Sequence, residues 1–466
     1  MLTFVAKYAT AAHLALLTVA PLFLFPFCSE GQIAKVLLWL SLLCVTWIVM
    51  SPSTMLDERS HDARVRFYEE VVRDPLFWFS LLLIAMAGVR ALNGGVGFAY
   101  DAETISWAFR KPALDIMPGC VDGTGFLPFA TCVALAVLLQ GLRHALGKDS
   151  VMPFLVSVLV LAGVSAIVAI AAFSYGNANI ASIQKCEYFN SSFMGVAYGL
   201  YGILGVATLF NCVEKGNVAA ELLTIVSAPA TALGLAMFSP PLTLAVFASA
   251  LLIMVAVSFV LHGRTLAGAS SLRCTIAVFV IAFAAVAPFL ICDDGTALAA
   301  RKDAILSLQF LPKGFGETRA ALSGIALKVW KSGPWLGSGL GSFPLDIKFM
   351  ASPQDWTVIS PLQKTSLNGL WQLLVERGVV GTLLFASMLG FLVWTFVSRL
   401  LAGGNYRRMR GVHCVGLVVM LVLVALAFVD CSFLRTDVLL AGGAALALSA
   451  AAFPAHRRAN SNSAEE

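Results

Sequence analysis

An all-α, polytopic integral membrane protein is the fold class this sequence predicts, on three observations. The 466 residues are 59% hydrophobic and only 12% charged, with a mean hydropathy of +0.86, whereas a soluble domain carries about 25% charge. Apolar stretches of roughly 20 residues, the length that crosses a bilayer as a helix, recur along most of the chain. Lys and Arg are divided unevenly between alternate connections. The formal net charge of +5 is small for this length and gives no reason to invoke nucleic acid.

The first apolar stretch, Ala9 to Phe27, is too long for the core of a removed signal peptide and lacks a small-residue cleavage site, so it reads as a span. Twelve transmembrane helices are expected, near residues 8–28, 33–51, 76–93, 124–142, 151–173, 193–212, 219–238, 242–261, 274–291, 379–398, 412–430 and 437–453. Only Ser239-Pro240-Pro241 separates the seventh from the eighth, as a tight turn. The chain therefore divides into helices 1–9 (1–291), a large polar connection (292–378), helices 10–12 (379–453) and a polar, disordered tail (454–466). No repeat of 20–50 residues is visible.

Orientation follows from charge. One set of connections carries Lys7, then Arg59, Arg64, Arg66 and Arg73, then Arg143 and Lys148, then Lys215, then Arg264 and Arg273. It continues with Arg399, Arg407, Arg408 and Arg410, and with Arg457 and Arg458. The other short connections hold only Lys35, Arg90, Arg110, Lys111, Lys185 and Arg435. By the positive-inside rule the first set is cytoplasmic, with both termini inside and 292–378 outside. Three outer regions are long enough to form a site: 93–123, 174–192 and 292–378.

Within the third, Glu317 to Lys331 reads as an amphipathic helix. Ala321, Ile325 and Val329 share a face at i+4 spacing, with Leu322 beside them. Pro334 ends it. Gly337, Gly339 and Gly341 then form a turn that needs positive φ, or a backbone that approaches a diphosphate or sugar closely. No Gly-Lys-Ser/Thr follows, so a nucleotide loop is not indicated.

The run Pro334-Trp-Leu-Gly-Ser-Gly-Leu-Gly-Ser-Phe343, followed by Ser366-Leu-Asn-Gly-Leu-Trp-Gln-Leu-Leu-Val-Glu-Arg-Gly-Val-Val-Gly381, resembles the large outer loop of the O-antigen ligase and polymerase superfamily. There a P-x-x-G-x-G-x-G-x-F turn leads to an H-N-x-x-(L/W)-Q-x-x-x-E-x-G-x-x-G helix. The family's histidine position is Leu367 here. Asn190, in Tyr188-Phe-Asn-Ser-Ser-Phe-Met-Gly195, resembles a second family segment, F-x-N-x-N-x-F/A, with Ser192 for the second Asn. It reads equally as a helix N-cap.

The resemblance implies a GT-C-type glycosyltransferase in a bacterial inner membrane. Such an enzyme takes a glycan from undecaprenyl diphosphate at the outer leaflet, without cofactor or metal, and passes it to lipid A–core, to another lipid-linked repeat or to a protein hydroxyl. It implies a catalytic set of Arg319, Asn368 and Glu376. Substrate contacts would come from Arg301, Arg110, Asn190, Gly337, Gly339, Gly341, Trp371 and Gln372. Arg319 suits a diphosphate through its fork of donors and permanent charge, or is a helix-surface arginine in water. Arg110 and Lys111 beside Trp107 form a second candidate contact.

The six histidines, His13, His61, His144, His262, His413 and His456, all fall outside the outer loops. The missing loop histidine leaves three readings: a carboxylate base from Asp346, Asp355, Glu317 or Glu376, catalysis by positioning and charge stabilisation, or a degenerate, inactive chain. Five cysteines, Cys28, Cys120, Cys186, Cys292 and Cys431, fall at the outer side, where an oxidising compartment permits pairing. The competing class is a polysaccharide transporter or flippase, which predicts ionisable residues at a midplane site. Here His13 is the clearest deep one, while Arg90, Glu221 and Asp430 lie near span ends, where long side chains snorkel.

Overall fold

The computed structural model describes residues 2–50, 60–93, 97–101, 106–110, 125–146, 150–174, 192–262, 269–291, 302, 314–359, 365–401, 410–428, 431 and 434–451. Among them, eight helices are long and apolar enough to cross a membrane. They fall in α2 (Glu30–Met50), α4 (Pro75–Leu92), α5 (Phe126–Gln140, continued by a π-turn Gly141–Ala145) and α6 (Val151–Ser174). The others are α7 (Ser192–Lys215), α8 (Val218–Phe238), α9 (Pro241–His262) and α13 (Gly369–Leu401). The shorter apolar segments Tyr8–Leu24, Ser271–Phe283, Cys414–Ala427 and Thr436–Ala450 lie in α1 (Leu2–Leu24), α10 (Ala269–Ile291), α14 (Arg410–Ala427) and α15 (Thr436–Ala450). The protein is an α-helical, polytopic, membrane-embedded chain. Apolar side chains such as Leu252, Phe279 and Trp394 point outward, as they do where lipid replaces water.

Four short elements were not expected from the sequence. α3 (Ser60–Arg73) is a polar helix anchored by the buried Phe67. β1 (Gly97–Asp101) pairs antiparallel with β2 (Ser106–Arg110), with Tyr100 opposite Trp107 and Phe98 opposite Phe109. Aromatic residues alternating on two adjacent segments suit a β-ribbon, and this hairpin is the one departure from helix above turn length among the described residues. α12 (Phe343–Met350) follows the glycine turn, with Pro344 in its first turn, where a missing N–H does no harm.

Small residues draw the bundle together. α15 is buried along nearly its whole length because it is mostly alanine, glycine and leucine. A Cβ on Gly443 would lie 2.4 Å from Leu135 Cδ1, so α5 can approach α15 only over a glycine. The Thr131 and Thr436 hydroxyls bond at 2.8 Å across that contact. Deeper in the bundle Tyr201 donates to the Thr18 carbonyl at 3.1 Å.

The polar segment has its own core. α11 (Phe315–Ser332) buries Leu322, Ile325, Ala326 and Val329 on one face. That face packs with Phe343, Ile347, Leu367 and Val375. Fully burying each large member contributes about 1.5–3 kcal/mol, so the helix predicted over 317–331 is held by its apolar stripe. α13 begins in this small core and continues into the bundle. It is broken at Gly378, whose φ of 67° and ψ of −174° are open essentially to glycine alone.

Candidate functional site

Two stretches of backbone cross at the heart of the motif region. Gly337, Gly339 and Gly341 have φ of 73°, 116° and 71°. A Cβ on Gly337 would sit 2.5 Å from the Val375 carbonyl oxygen, and one on Gly378 would sit 2.3 Å from that of Trp335. Each glycine therefore serves both its own conformation and the approach of the other strand. Four backbone hydrogen bonds lock the crossing: Ser338 N–H to Val375 O (2.7 Å), Gly339 N–H to Glu376 O (3.3 Å), Val379 N–H to Pro334 O (2.9 Å) and Val380 N–H to Trp335 O (3.1 Å).

Side chains brace the same crossing. The Asp346 carboxylate accepts from the hydroxyls of Ser338 (2.9 Å) and Ser342 (3.0 Å). Burial pushes the Asp346 carboxyl above its usual range, and the two serine bonds only partly offset that. From below, the wholly buried Arg90 of α4 donates to the carbonyls of Leu336 (2.5 Å), Glu376 (2.9 Å) and Arg377 (3.4 Å). Arg90 is thus no snorkelling residue. The sequence places it near a span end, but the segment above it supplies carbonyls that a guanidinium satisfies better than water would.

The crossing forms one wall of a cavity of about 830 Å³ at one end of the bundle, within the usual size range of small-molecule sites. The other walls are the α1–α2 turn, with Phe25 and Glu30, and the facing parts of α4, α5 and α15. Its polar groups include Gln372, Glu376 and Arg377 from α13, Arg435 and Thr436 from the start of α15, Thr131 from α5, Ser80 from α4 and Glu30 from α2. Gln372 and Glu376, one turn apart, face the cavity together, and Gln372 Nε2 donates to Glu376 Oε1 at 2.5 Å. Gln372 Oε1 accepts the Ser366 N–H at 2.9 Å, and the Gly341 N–H bonds to the Glu376 carboxylate. Arg377 lies beside Glu376 and near Cys132. Arg435 stacks over the Phe25 ring, 4.1 Å from its centroid, and pairs with buried Asp437 at 3.2 Å. Below this rim the wall turns apolar through Leu83, Leu135, Phe385 and Met388. At 1.5 Å per residue, Met388 lies about 15 Å down the helix from Gly378.

The residues named from sequence divide accordingly. Gly341, Gln372 and Glu376 line the cavity, with Gly337 and Gly339 in the crossing behind it. Asn368 is the cap of α13, its Oδ1 accepting from Leu370 N–H (3.0 Å) and Trp371 N–H (3.4 Å). Trp371 packs against the small core. Arg319 does not line the cavity; its guanidinium donates to the Phe428 carbonyl, just past the end of α14. Arg110 lies in β2, paired with Gly97. Arg301 and Asn190 lie outside the described residues, as do Lys111, Cys120, Cys186 and Cys292. Cys28 and Cys431 lie on the cavity wall, and Ser366 Oγ lies 3.6 Å from Cys431 Sγ. Sequence reading missed Arg90, Arg377 and Arg435 as site residues. Their signal was a permanent charge kept next to a motif or inside an otherwise apolar stretch.

Chemically, the cavity offers two guanidinium groups, the carboxylates of Glu376 and Glu30, and hydroxyls, above an apolar wall. Among the described residues no three His, Cys, Asp or Glu side chains come together as a metal cluster. No known family profile and no curated protein matches the chain.

Proposed function

We propose that this protein is a membrane glycosyltransferase of the O-antigen ligase and polymerase type, with twelve spans in a GT-C-type arrangement. In this reading it sits in a bacterial inner membrane with both termini cytoplasmic and the 292–378 segment outside. It transfers a glycan from undecaprenyl diphosphate to lipid A–core or to another lipid-linked repeat. The observation that carries the reading is the cavity, where Arg377, Arg435 and Glu376 form a polar rim above the apolar wall of Phe385 and Met388. A lipid diphosphate has the matching shape: an anionic group that guanidinium forks bind well, joined to a chain that belongs against apolar surface.

In the reaction this implies, an acceptor hydroxyl oxygen bonds to the anomeric carbon as the bond from that carbon to the diphosphate oxygen breaks. The bonding pair leaves with the lipid diphosphate, whose growing charge Arg377 and Arg435 would stabilise. The hydroxyl proton passes to the Glu376 carboxylate, and a single displacement inverts the sugar.

Leu367 bears on the choice within the family. It is wholly buried in the small core, does not line the cavity, and holds a φ of 53° that is unusual for leucine. A base at this position is absent, which favours a carboxylate-based or polymerase-type enzyme over a histidine-dependent ligase. A flippase is less well supported, because the cavity's charges gather at one end of the bundle rather than along a midplane path.

The test is a deletion strain analysed for surface glycans. Core bearing a single repeat supports a polymerase, and bare core with accumulated lipid-linked polymer supports a ligase. Single lipid-linked repeats stranded on the cytoplasmic side, or an unchanged glycan profile, overturn the reading.

A further inference from the structure

We infer that Arg90 is a positioning residue that fixes the directions in which Glu376 and Arg377 enter the cavity. The argument starts at the helix break. Where α13 is interrupted at Gly378, the last carbonyls of its first segment have no partner within the helix. The glycine turn supplies N–H groups to two of them, Val375 and Glu376. Arg90 completes the set, donating to Glu376 and Arg377 and tying in Leu336 from the opposite strand. The Glu376 carbonyl thus receives Gly339 N–H from one side and Arg90 from the other.

One buried side chain from a membrane helix therefore holds both strands of the crossing. Two of the three residues whose carbonyls it grips, Glu376 and Arg377, line the cavity. Only the planar, forked donor set of arginine reaches three carbonyls at once; a lysine ammonium keeps the charge but presents it as a compact point. A charge so placed is also expensive to bury unless it has this much to bond, which explains why it stands in an otherwise apolar helix.

The inference rests on the reading of the cavity as the reaction site, and its test separates the two. Purified full-length protein with Arg90→Met and with Arg90→Lys is measured in two ways. Amide hydrogen exchange followed by peptide mass analysis reads the crossing without any substrate. Transfer kinetics on a lipid-diphosphate-linked glycan read its consequence. Arg90→Met is expected to speed exchange about tenfold or more in peptides covering 334–341 and 374–380, leaving the peptides of α7 and α15 unchanged. It is expected to lower kcat by about 10²-fold with little change in KM, as misplacement of reacting groups by about 1 Å does. Arg90→Lys should recover part of both. If Arg90→Met does not fold, Arg90→Gln, which keeps one pair of donors, carries the same expectations.

Unchanged exchange in the crossing overturns the inference, as does faster exchange spread evenly through the protein. Faster local exchange with unaltered kcat overturns it too. Absence of transfer by the wild-type protein overturns the reading of the site instead, and the exchange arm then decides by itself whether Arg90 sets the crossing.

Discussion

The α4–α5 pair carries arginines at both of its ends, and the two ends treat charge differently. At one end Asp74 caps α4, accepting the Leu76 N–H at 3.1 Å. Its carboxylate pairs with Arg143 and lies 3.0 Å from His144 Nε2, and Arg143 also sits over the Phe391 ring. The side chains of Arg143 and Asp74 are 7% and 3% exposed, so this cluster is closed. At the other end Arg90 is closed in the same way, but Glu376, Arg377 and Arg435 stand around about 830 Å³ of open space. A charge matched and sealed contributes to holding the fold. A charge held at the edge of a cavity keeps bonding capacity for something that enters. Substitutions should therefore separate the two ends, stability failing at the first and transfer at the second.

The largest effect is expected at the open end. Glu376→Gln keeps the volume and an acceptor for Gln372 and Gly341, but cannot take a proton. Transfer should fall by about 10²–10⁴-fold, with thermal stability in detergent unchanged. Near wild-type turnover would remove Glu376 from the reaction.

Next comes the closed end. Arg143→Met leaves the buried Asp74 carboxylate with only His144 and the Leu76 N–H, and breaking such a pair typically costs about 3–5 kcal/mol. Denaturation should register that loss, while the residual folded protein transfers at the normal rate. The same cluster has a pH signature. Burial pushes the Asp74 carboxyl up, but hydrogen bonds from His144 and Arg143, the Arg143 charge and the Leu76 N–H outweigh it, and the net lies below the ordinary value. Its stabilising contribution is therefore complete above about pH 4 and lost as pH falls through the depressed folded value. Asp74→Asn should flatten the acid limb of the stability profile; an acid limb identical to wild type would show that the cluster titrates elsewhere.

Leu367 sharpens the comparison from the small core beside the site. His in its place would bury an imidazole among Phe343, Ile347 and Val375, at a loss of about 1–3 kcal/mol. Leu367→His is thus expected to lower stability and leave the surface-glycan ladder no stronger. A clear gain of ligated glycan would instead mark the chain as a ligase that has lost its histidine.

What was legible in the sequence was whatever short-range spacing determines. The i+4 stripe of Ala321, Ile325 and Val329 predicts the helix that became Phe315–Ser332. Three glycines at i+2 spacing predict positive φ, and all three have it. Gln372 and Glu376, both named through the motif, lie one turn apart and share a hydrogen bond. The rest of the site depends on distance in sequence. Arg90 meets Glu376 across 286 residues, and Arg435 is brought to the cavity only because α15 packs beside α5. Nothing local distinguishes Arg90 from a snorkelling residue, and nothing local tells that Asn368 serves the helix start while its neighbours serve the cavity.

The smallest expected effect concerns Arg319, where the resemblance and the geometry point to different outcomes. A diphosphate ligand would make Arg319→Ala lose about 1.5–3 kcal/mol of binding, the value of a charge-assisted hydrogen bond. In the structure this guanidinium instead satisfies the Phe428 carbonyl. The site lies just past the last residue of α14, where helix carbonyls lack partners and a cation is favoured. That contact ties α11 of the polar segment to the bundle. Its loss should therefore cost only about 1 kcal/mol of stability and change transfer less than about threefold. Arg319→Lys should recover the stability, because a C-terminal carbonyl accepts from an ammonium as well as from a fork. A tenfold fall in transfer by Arg319→Ala at unchanged stability would show that the side chain leaves Phe428 for the substrate, and would extend the open end of the molecule from the cavity to α11.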